Sequence, residues 1–555
     1  MNQLDINAVP FIQDLWNSLY NTELDPNRIC CSIQGKTYSY GEFSFQVRLH
    51  SNRLIEFRKS NFSDVLNSSN NLENNEPFVT NNIQRTPARN PRIGVIIEDQ
   101  FDTYCYIVAC LIQGCAFVPI QPSYPKSRLE DILEMAELDA WFGPHNTPVI
   151  GNTSLFHLNS ADLTSSLSSS NGVLICNDVL SSEESTQSLL NSNVHSEYPW
   201  ENLLIDFPIN FDNTAYILFT SGTTGKPKGV PISYSNLQHF YEGFWSLGYS
   251  LSASDRFLQM FELTFDLSVS SFLIPLCLGA SFHTLDKSII KPLALYDVLE
   301  SQRISFALMV PSAVEMLAPY SDDIELPDLK YTQFCGEAFK LNQLNTWSSC
   351  CPNSQIDNVY GPTEATIYCT RYTAYPLSHP PKQKNGIVCI GQPMKHVSLK
   401  LSESNELMLG GLQTTSGYLH STEEQKGKFQ QGYYLSGDLA EFDGVDYYCL
   451  GRLDDQVKVQ GYRIELSELE FAASRIRENV RFKAVAIVSE SITRLHLFCV
   501  SEKLNSFELP SFESQLKDQL PWYMVPHQIH EIPDFPLNVN GKIDKKQLIE
   551  MYVKP

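Results

Sequence analysis

The sequence has no long hydrophobic run and no export signal. None of its apolar stretches approaches the roughly 20 residues that a helix needs to cross a bilayer. Its first residues, "MNQLDINAVPFIQ", lack the basic start and the apolar core of a signal peptide. We therefore expect a cytoplasmic protein without membrane insertion.

Positive charge is also scarce. Lys and Arg number 40 against 63 Asp and Glu, which gives a formal net charge of -23 at pH 7. A protein whose main partner is nucleic acid or an anionic membrane needs a basic patch that neutralises phosphates. We expect small molecules or a protein as partners, and no nucleic acid.

The 14 cysteines lack the spacing of a disulfide framework or of a paired CxxC metal site. Many of them fall on apolar segments such as "YCYIVACLIQGCAF". We expect these cysteines to be reduced and mostly buried.

What the sequence does contain is 555 residues with 43% hydrophobic content, enough for large cores and at least two domains. Short apolar strands alternate with segments of helical length. "RIGVII" is followed by "FDTYCYIVACLIQG" and "CAFVPI", and "ISFALMVP" by "SAVEMLAPY". This alternation predicts an α/β fold with mainly parallel sheets, whose ligands bind at the carboxyl ends of the strands.

The last hundred residues have a different pattern. "KAVAIVSESITRLHLFCVSE" predicts a strand pair, "FESQLKDQL" a helix and "LPWYMVP" an extended segment, which together indicate a small α+β domain. We place the boundary within "GRLDDQVKVQGYR", so that a large multi-subdomain N-terminal domain covers residues 1–452 and a small mobile C-terminal domain covers 453–555. Polar Asn/Ser-rich tracts near residues 59–90 and 159–200 are predicted to be surface insertions or flexible loops.

A glycine-rich loop follows an apolar strand in "YILFTSGTTGKPKG". Glycine lets backbone N–H groups approach phosphate oxygens, while hydroxyl groups add donors and lysines add charge. The loop is neither GxGxxG nor a Walker A motif, because Pro227 follows Lys226. For three glycines alone, a flexible loop that binds nothing is the alternative. The candidate polyphosphate-binding residues are Thr220, Ser221, Gly222, Thr223, Thr224, Gly225 and Lys226.

The complete string "TSGTTGKPKG" resembles the phosphate-binding motif of the adenylate-forming superfamily, which includes acyl-CoA and aryl-CoA synthetases, firefly luciferase and the adenylation domains of nonribosomal peptide synthetases. Other signatures of this superfamily occur in the expected order over most of the chain, among them "LTFDLSV", "VYGPTEAT", "YLSGDLA", "GRLDDQVKVQGYRIELSELE" and "PLNVNGKIDKK". The resemblance implies the fold of the superfamily. It also implies that a carboxylate attacks the α-phosphate of ATP to give an acyl-adenylate.

The same resemblance assigns roles to residues of the ATP site. Glu364 corresponds to the Mg2+ ligand and Lys542 to the lysine that bridges the substrate carboxylate and a ribose oxygen. Both would offset the repulsion between two reacting anions. The implied nucleotide-binding residues are Tyr360, which would stack on adenine, Thr363, Asp438, which would bind the ribose hydroxyls, and Arg452.

Asp266 indicates the class of substrate. In "FDLSV" it occupies the place where the amino-acid-activating members carry an aspartate, which would pair with the α-ammonium of the substrate. The reference pKa of about 8 keeps this ammonium charged near neutrality. A contact at ~4 Å and an effective dielectric near 20 is worth roughly 4 kcal/mol before desolvation, which selects against simple fatty acids. A helix-capping or core aspartate is the alternative interpretation.

The other pocket positions, matched motif by motif, hold no charged side chain. Tyr368 is bulky enough to fill the pocket, which favours glycine ahead of alanine, although Gln333 and two serines could bind a hydroxyl side chain. These pocket residues are Leu267, Ser270, Ser312, Gln333, Cys335, Val359, Ile367 and Tyr368.

Two features that the sequence lacks, a carrier domain and a condensation motif, suggest that the adenylate is passed to a separate carrier protein. The chain ends at Pro555, soon after "NGKIDKK", and contains no HHxxxDG condensation motif. We expect a stand-alone enzyme that loads the phosphopantetheine thiol of a discrete carrier protein, similar to the D-alanine ligases of teichoic-acid modification and the glycine ligases of lipid A modification. In this family the small domain turns about a hinge, here Asp454, and presents the hairpin around Gly461 to the thiol tunnel.

Two other functions stay open. One is an acyl-CoA or aryl-CoA synthetase, against which Asp266 argues, and the other is a noncatalytic nucleotide-binding paralogue. Three positions depart from the family pattern, because Tyr234, Asn405 and Leu435 replace a common histidine, glycine and arginine. None of these changes removes a group assigned to catalysis.

Overall fold

The structure of the chain is a computed structural model. It describes residues 9–21, 24–68, 89–98, 100–144, 156–158, 209–222, 225–478, 480–489, 492–500, 509–537 and 543–553. Thr223, Thr224, Lys542 and most of both polar tracts lie outside these ranges.

Strands and helices alternate through the first two sheets. Up to residue 259 the elements are α1 (Pro10–Tyr20), β1 (Ile29–Ile33), β2 (Lys36–Ser39), α2 (Tyr40–Ser68), β3 (Arg92–Ile96), α3 (Phe101–Ile112), β4 (Ala116–Ile120), α4 (Lys126–Ala136), β5 (Ala140–Phe142), β6 (Phe156–His157), β7 (Thr214–Thr220), β8 (Lys228–Ser233), α5 (Tyr234–Ser246) and β9 (Arg256–Gln259). Those that follow are α6 (Asp266–Leu278), β10 (Ser281–Thr284), α7 (Lys291–Ser301), β11 (Phe306–Met309), α8 (Ser312–Leu317), β12 (Tyr331–Phe334), α9 (Leu341–Cys350), β13 (Gln355–Tyr360), β14 (Thr370–Tyr375), β15 (Gln383–Lys384), β16 (Ile387–Val388) and β17 (Gln392–Pro393).

Both large sheets are mainly parallel, as the sequence predicted. One has the order β6-β5-β3-β4-β7-β8 and is parallel except for the hairpin of β7 and β8. The other has the order β17-β14-β13-β12-β11-β9-β10-β1-β2 and is parallel from β13 to β1. Fully buried aromatic side chains, including Tyr216, Phe240 and Trp347, fill the layers between sheets and helices. The predicted strand–helix pairs at residues 92–120 and 306–317 are confirmed.

An antiparallel sheet and a small terminal unit complete the fold. The antiparallel sheet and its short helix consist of β18 (Val397–Leu401), β19 (Glu406–Gly411), α10 (Glu423–Lys426), β20 (Phe429–Gln430), β21 (Tyr433–Phe442) and β22 (Tyr447–Arg452). The terminal elements are β23 (Gln456–Val459), β24 (Tyr462–Glu465), α11 (Leu466–Ile476), β25 (Arg481–Ser489), β26 (Ile492–Val500), α12 (Leu509–Lys517), β27 (Gln528–Glu531) and α13 (Lys545–Tyr552). The predicted pair β25–β26 is antiparallel and is extended by β27. The domain boundary at residue 452 stays a prediction.

Two local predictions are wrong. The segment "LPWYMVP" is not extended throughout, because Trp522–Met524 forms a 3-10 turn in which the Met524 N–H donates to Pro521 O at 2.9 Å. This turn stacks the Tyr523 ring on Tyr462, with 4.1 Å between ring centroids. Residues 59–68 are not a loop either, since α2 continues to Ser68. Once its first turns are anchored by buried side chains such as Phe43, each further residue adds a backbone hydrogen bond.

The thirteen cysteines within the described ranges are all unpaired, and every one except Cys449 is buried. The expectation of buried thiols is confirmed for these residues, and their reduced state stays a prediction. Across the same ranges, no helix combines the length and the hydrophobicity that a bilayer span requires.

Gly391 permits a close backbone contact that no other residue type allows. Its φ is +73°, and a Cβ there would lie 2.1 Å from Arg371 O, whereas Gly248 has a φ of +81° and open space around it. We expect Gly248→Ala to cost about 1 kcal/mol from the left-handed conformation, and Gly391→Ala to cost more than about 3 kcal/mol because it adds a backbone clash. Urea unfolding measures both. Equal losses of stability would contradict the contact.

Candidate active site

The candidate residues converge at the carboxyl ends of parallel strands. Thr220 ends β7, Cys335 follows β12, and Tyr360 ends β13. Asp266 begins α6, and a 3-10 turn at Thr363–Ala365 follows β13. This is the edge at which α/β sheets bind ligands.

Three of the predicted nucleotide residues form one network with the predicted hinge. Asp438 accepts a hydrogen bond from the hydroxyl of Tyr360 and another from Arg452 Nη1 at 2.6 Å. Arg452 also makes a two-point contact with Asp454, at 2.7 and 2.9 Å. Gly437 leaves room for this contact, since a Cβ there would lie 2.5 Å from Arg452 Nη2. The carboxylate predicted to bind ribose and the predicted hinge are therefore linked through a single arginine.

Glu364 is fully buried, and both of its oxygens accept hydrogen bonds. Oε1 accepts from the Tyr418 hydroxyl at 2.6 Å, and Oε2 accepts from Arg463 Nη1 at 2.8 Å. Burial would raise the pKa of Glu364, but the charges of Arg463 and Lys228 outweigh it and lower the pKa to about 2. The carboxylate is therefore ionised, and its countercharge comes from the small C-terminal unit.

The same unit engages the phosphate loop. The Ser221 hydroxyl donates to Arg463 O at 2.8 Å, and the Gly222 N–H donates to Glu468 Oε2 at 3.3 Å. Buried Lys228 lies 3.4 Å from Glu465 Oε1. The buried hydroxyl of Thr220 has no hydrogen-bond partner in the described part of the chain. These donors suit an anion, and carboxylates of β24 and α11 meet two of them here.

Lys226 does not join the other predicted loop residues. Its ammonium lies 3.1 Å from Asp131 on α4, and its side chain is 62% exposed. Lys228 points into the site instead, and burial lowers the pKa of its ammonium. The assignment of Lys226 to phosphate binding stays a prediction, as do those of Thr223 and Thr224, which lie outside the described residues.

The residues present fit a metal that takes most of its ligands from phosphate oxygens. Glu364 is a single buried carboxylate, and in the described ranges no group of three His, Cys, Asp or Glu side chains could hold an ion. Mg2+ is commonly held by one or two carboxylates together with substrate phosphates. Glu364 would hold it, and the ion would supply positive charge at the phosphates. Arg463, which now donates to Oε2, would compete with a metal for this carboxylate.

Asp266 is a buried carboxylate at the first turn of α6. Burial raises the pKa of Asp266 to about 6. Hydrogen bonds from the Thr363 hydroxyl and the Leu267 N–H act in the opposite direction, because they favour the charged form. Lys458 on β23 also favours the charged form. At neutral pH the group is mostly ionised, in position to attract a cation.

Tyr368 fills the pocket beyond Asp266. Its side chain is fully buried, its hydroxyl donates to Gln333 Oε1 at 2.9 Å, and Phe240 contacts its ring edge-on with 5.0 Å between centroids. A void of about 10 Å³ adjoins Tyr368 and is lined in part by two other predicted pocket residues, Ser270 and Gln333, but not by Asp266. Ile367 and Val359 are buried in the same core.

The turn that carries Tyr368 is tightly constrained. Thr366 and Ile367 both have positive φ, +57° and +74°. The buried amide of Gln413 donates to the carbonyls of Ala365, Thr366 and Tyr368. Gly361 is required opposite the turn, since a Cβ there would lie 2.4 Å from Tyr368 Cα. The position of the Tyr368 backbone is therefore fixed from two sides.

A second, larger cavity of about 440 Å³ lies between the large domain and the hairpin of β23 and β24. The backbone N–H groups of Ser312 and Gly461 both donate to Glu337, each at 2.8 Å. The cavity is lined by residues of both parts of the chain, among them Leu267, Lys291, Val310, Gly461, Tyr462 and Trp522. The hairpin around Gly461 thus lies at the candidate site.

Several of these residues were missed by sequence reasoning. Arg463, Glu465 and Glu468 lie in the quoted motif "GYRIELSELE", so their charges were visible although their partners were not. Nothing in the sequence pointed to Tyr418 or Gln413. Lys542 lies outside the described residues, and its role stays a prediction.

Comparison with known proteins identifies the family. A profile of the family described as AMP-binding enzyme matches residues 87–419, more than half of the chain. The D-alanine–D-alanyl carrier protein ligases of Staphylococcus haemolyticus and Staphylococcus epidermidis are 31% and 29% identical to it, over 80% of this chain and 86% of each relative. The solved structure of the Vibrio cholerae adenylation domain AlmE in complex with glycyl-adenosine-5'-phosphate is similar with a TM-score of 0.72, at 23% identity and 99% coverage of both chains.

The chain therefore belongs to the AMP-binding enzyme family, and the resemblance to the adenylate-forming superfamily is confirmed. The likeness to AlmE confirms the fold.

The contacts of Glu468 predict competition with ATP. Glu468→Gln removes a charge from the phosphate loop and leaves buried Arg128, its ion-pair partner at 2.5 Å, without a countercharge. The arrangement that blocks the loop should be less populated, and the apparent Kd for ATP should fall about tenfold in titration calorimetry. Glu513→Gln, which affects an exposed pair with Lys517, is the control. Equal or weaker ATP binding by Glu468→Gln would contradict the competition.

Proposed function

We propose that this protein uses ATP to activate a small amino acid, with glycine favoured over alanine, as an aminoacyl-adenylate, releasing pyrophosphate. It then transfers the aminoacyl group to the phosphopantetheine thiol of a separate carrier protein. One observation carries the choice of substrate: the carboxylate of Asp266 is buried and ionisable, and the predicted pocket position Tyr368 is filled by a fully buried aromatic side chain.

The charge of Asp266 supports an amino acid rather than a simple acid. With a pKa of about 6 this carboxylate is largely ionised at pH 7, and an α-ammonium is a suitable countercharge. A fatty or aryl acid would leave a buried carboxylate unpaired, which is costly in a low-dielectric site. This argues against an acyl-CoA or aryl-CoA synthetase.

The size of the pocket supports the smallest side chains. The void beside Tyr368 is about 10 Å³, comparable with the space that one water molecule needs, so the core around this predicted pocket residue offers little room for a large substrate side chain. Gln333 could have bound a hydroxyl side chain, but its amide is engaged by Tyr368 and Tyr249. A serine hydroxyl would have to compete with both. Glycine is therefore favoured, and the name of the similar ligases makes D-alanine the closest competitor.

The nucleotide site supports adenylation. Tyr360 and Asp438 would hold adenine and ribose, Arg452 orients the Asp438 carboxylate, and Glu364 would hold Mg2+. The ammonium of Lys542 would bridge the two reacting groups. Retention of Glu364, Asp438 and Lys542 together, at the positions of the family's metal, ribose and adenylation residues, argues against a noncatalytic paralogue.

The larger cavity supports transfer to a carrier thiol. It extends from Leu267, beside Asp266, past Gly461 to Lys291 and Trp522, and its volume of about 440 Å³ suits an extended flexible arm. The relatives in Staphylococcus are named as carrier protein ligases. The carrier itself, a final acceptor in lipid A and a cytoplasmic location stay predictions from the sequence.

The substrate assignment is tested by ATP–pyrophosphate exchange with the common amino acids, D-alanine, and fatty and aryl acids. We expect glycine to have the highest kcat/KM. Asp266→Asn should raise the KM for glycine about 100-fold, because it removes the charge that meets the ammonium, and should leave the KM for ATP within about twofold. Asp328→Asn, in an exposed pair with Arg303, is the matched control. Exchange with fatty or aryl acids alone would restore the CoA synthetase alternative, and exchange with no acid would favour the noncatalytic one.

The raised pKa of Asp266 predicts an acid limb in the pH profile. As the pH falls through about 6 this carboxylate takes up a proton and no longer attracts an ammonium. Because kcat/KM reports the groups of the free enzyme, kcat/KM for the amino acid should fall about tenfold per pH unit below pH 6. The limb should be absent from the low residual activity of Asp266→Asn. An identical limb in the variant would assign it to another group.

A further inference from the structure

Tyr368 begins a chain of hydrogen bonds that runs away from the pocket. Its hydroxyl donates to Gln333 Oε1 at 2.9 Å, and Gln333 Nε2 donates to the hydroxyl oxygen of Tyr249 at 2.8 Å. The Tyr249 hydroxyl in turn donates to Asp357 Oδ2 at 2.6 Å. All four side chains are buried. Tyr249 and Asp357 lie outside the pocket positions matched by motif, so neither meets the substrate.

Two neighbouring strands carry the middle and the far end of this chain of hydrogen bonds, which we call the relay. Gln333 on β12 and Asp357 on β13 are direct partners in the parallel pairing, so their side chains point to the same face of the sheet. Tyr249, in the connection between α5 and β9, bridges them. Tyr368 is thus tied to the centre of the nine-stranded sheet.

Asp357 determines which group donates and which accepts in each hydrogen bond of the relay. Burial raises the pKa of Asp357, whereas Arg371 at 3.8 Å and the Gln355 amide, which donates to it at 3.0 Å, favour the ionised form. An ionised carboxylate accepts hydrogen bonds only, so the single hydroxyl proton of Tyr249 is committed to it. The Tyr249 oxygen is then the acceptor for Gln333, which must turn its NH2 group toward Tyr249 and its carbonyl toward Tyr368. A reversed amide would place the carbonyl of Gln333 against the oxygen of Tyr249. The amide orientation, often ambiguous in proteins, is determined here by its neighbours.

We propose that Tyr249 and Asp357 are positioning residues for amino-acid selectivity: they orient Gln333 so that it holds the Tyr368 ring across the side-chain pocket. This inference rests on the proposed function. The backbone of Tyr368 is fixed by its turn, so the hydroxyl contact and the edge-on packing of Phe240 set where the ring lies. Without an oriented acceptor the packing alone holds the ring, which can then shift and let the adjoining void of about 10 Å³ widen to admit a larger side chain.

The direct test is Tyr249→Phe, which keeps the ring and removes the relay. The measured quantity is the ratio of kcat/KM for the preferred amino acid to that for the amino acid one carbon larger, which is glycine over alanine if glycine is preferred. We expect this ratio to fall about tenfold, mainly through a gain for the larger substrate, with the KM for ATP unchanged. Tyr234→Phe is the matched control, because this buried hydroxyl donates to Leu111 O at 2.9 Å and to Cys115 O at 3.1 Å, and neither acceptor is a predicted pocket residue. It should lose comparable stability in thermal unfolding and keep the ratio.

Asp357→Asn supplies a second, independent variant. An asparagine can donate to Tyr249 as well as accept from it, so the direction of the relay is lost although the shape is kept. We expect a smaller fall in the same ratio, and no further fall when Asp357→Asn is added to Tyr249→Phe, since both break one chain. An unchanged ratio in folded Tyr249→Phe, or in Asp357→Asn if Tyr249→Phe does not fold, would overturn the inference.

These outcomes separate the inference from the proposed function. If the wild-type enzyme prefers D-alanine to glycine, the glycine assignment is wrong, but the relay is still judged by the ratio of D-alanine to the next larger D-amino acid. If the wild-type enzyme activates glycine and the ratio does not change in the variants, the relay alone is refuted. Failure to activate any amino acid would refute both.

Discussion

The burial of the Glu364 carboxylate is the constraint on which the arrangement of this protein depends. A fully buried, ionised carboxylate needs a countercharge at all times, because an unpaired buried charge costs several kcal/mol. Here the guanidinium of Arg463, on β24 of the C-terminal unit, supplies it. The position of that unit is therefore linked to the charge state of the ATP site. A second cation bound at Glu364 would therefore replace Arg463 as the countercharge of this carboxylate.

The glycine-rich loop is also paired with charged residues of the C-terminal unit, but here the unit supplies negative charge. Its backbone donor at Gly222 and its buried cation Lys228 meet the carboxylates of Glu468 and Glu465. One continuous segment of β24 and α11 thus presents a cation to Glu364 and anions to the donors of the glycine-rich loop. If Glu364 holds a metal and the loop holds phosphates, as we propose, a metal–nucleotide complex would bring the same pattern of charges and would compete with this segment for the site.

The sequence predicted the parts of the molecule that depend on local pattern. The strand–helix alternation predicted the parallel sheets, and the motifs that contain Tyr360, Asp438 and Arg452 predicted residues that do meet in the structure. It could not predict the pairing of Glu364 with Arg463, 99 residues apart, because that contact depends on how two folded units meet. It was wrong at Trp522–Met524, where aromatic packing on a distant hairpin favours a turn over an extended chain. Tertiary contacts, which a local sequence pattern does not contain, explain both the unpredicted pairing and the wrong prediction.

The site joins a part held by the sheet to a part contacted by the C-terminal unit. The predicted side-chain pocket is built by β12, β13 and the turn before β14, which Gln413 and the sheet hold in place. The charged contacts of the C-terminal unit reach Glu364 and the glycine-rich loop, and Lys458 on β23 also favours the charged form of Asp266. A change in the position of that unit would therefore alter the electrostatics at Glu364, at the loop and at Asp266, but not the residues that set the size of the pocket.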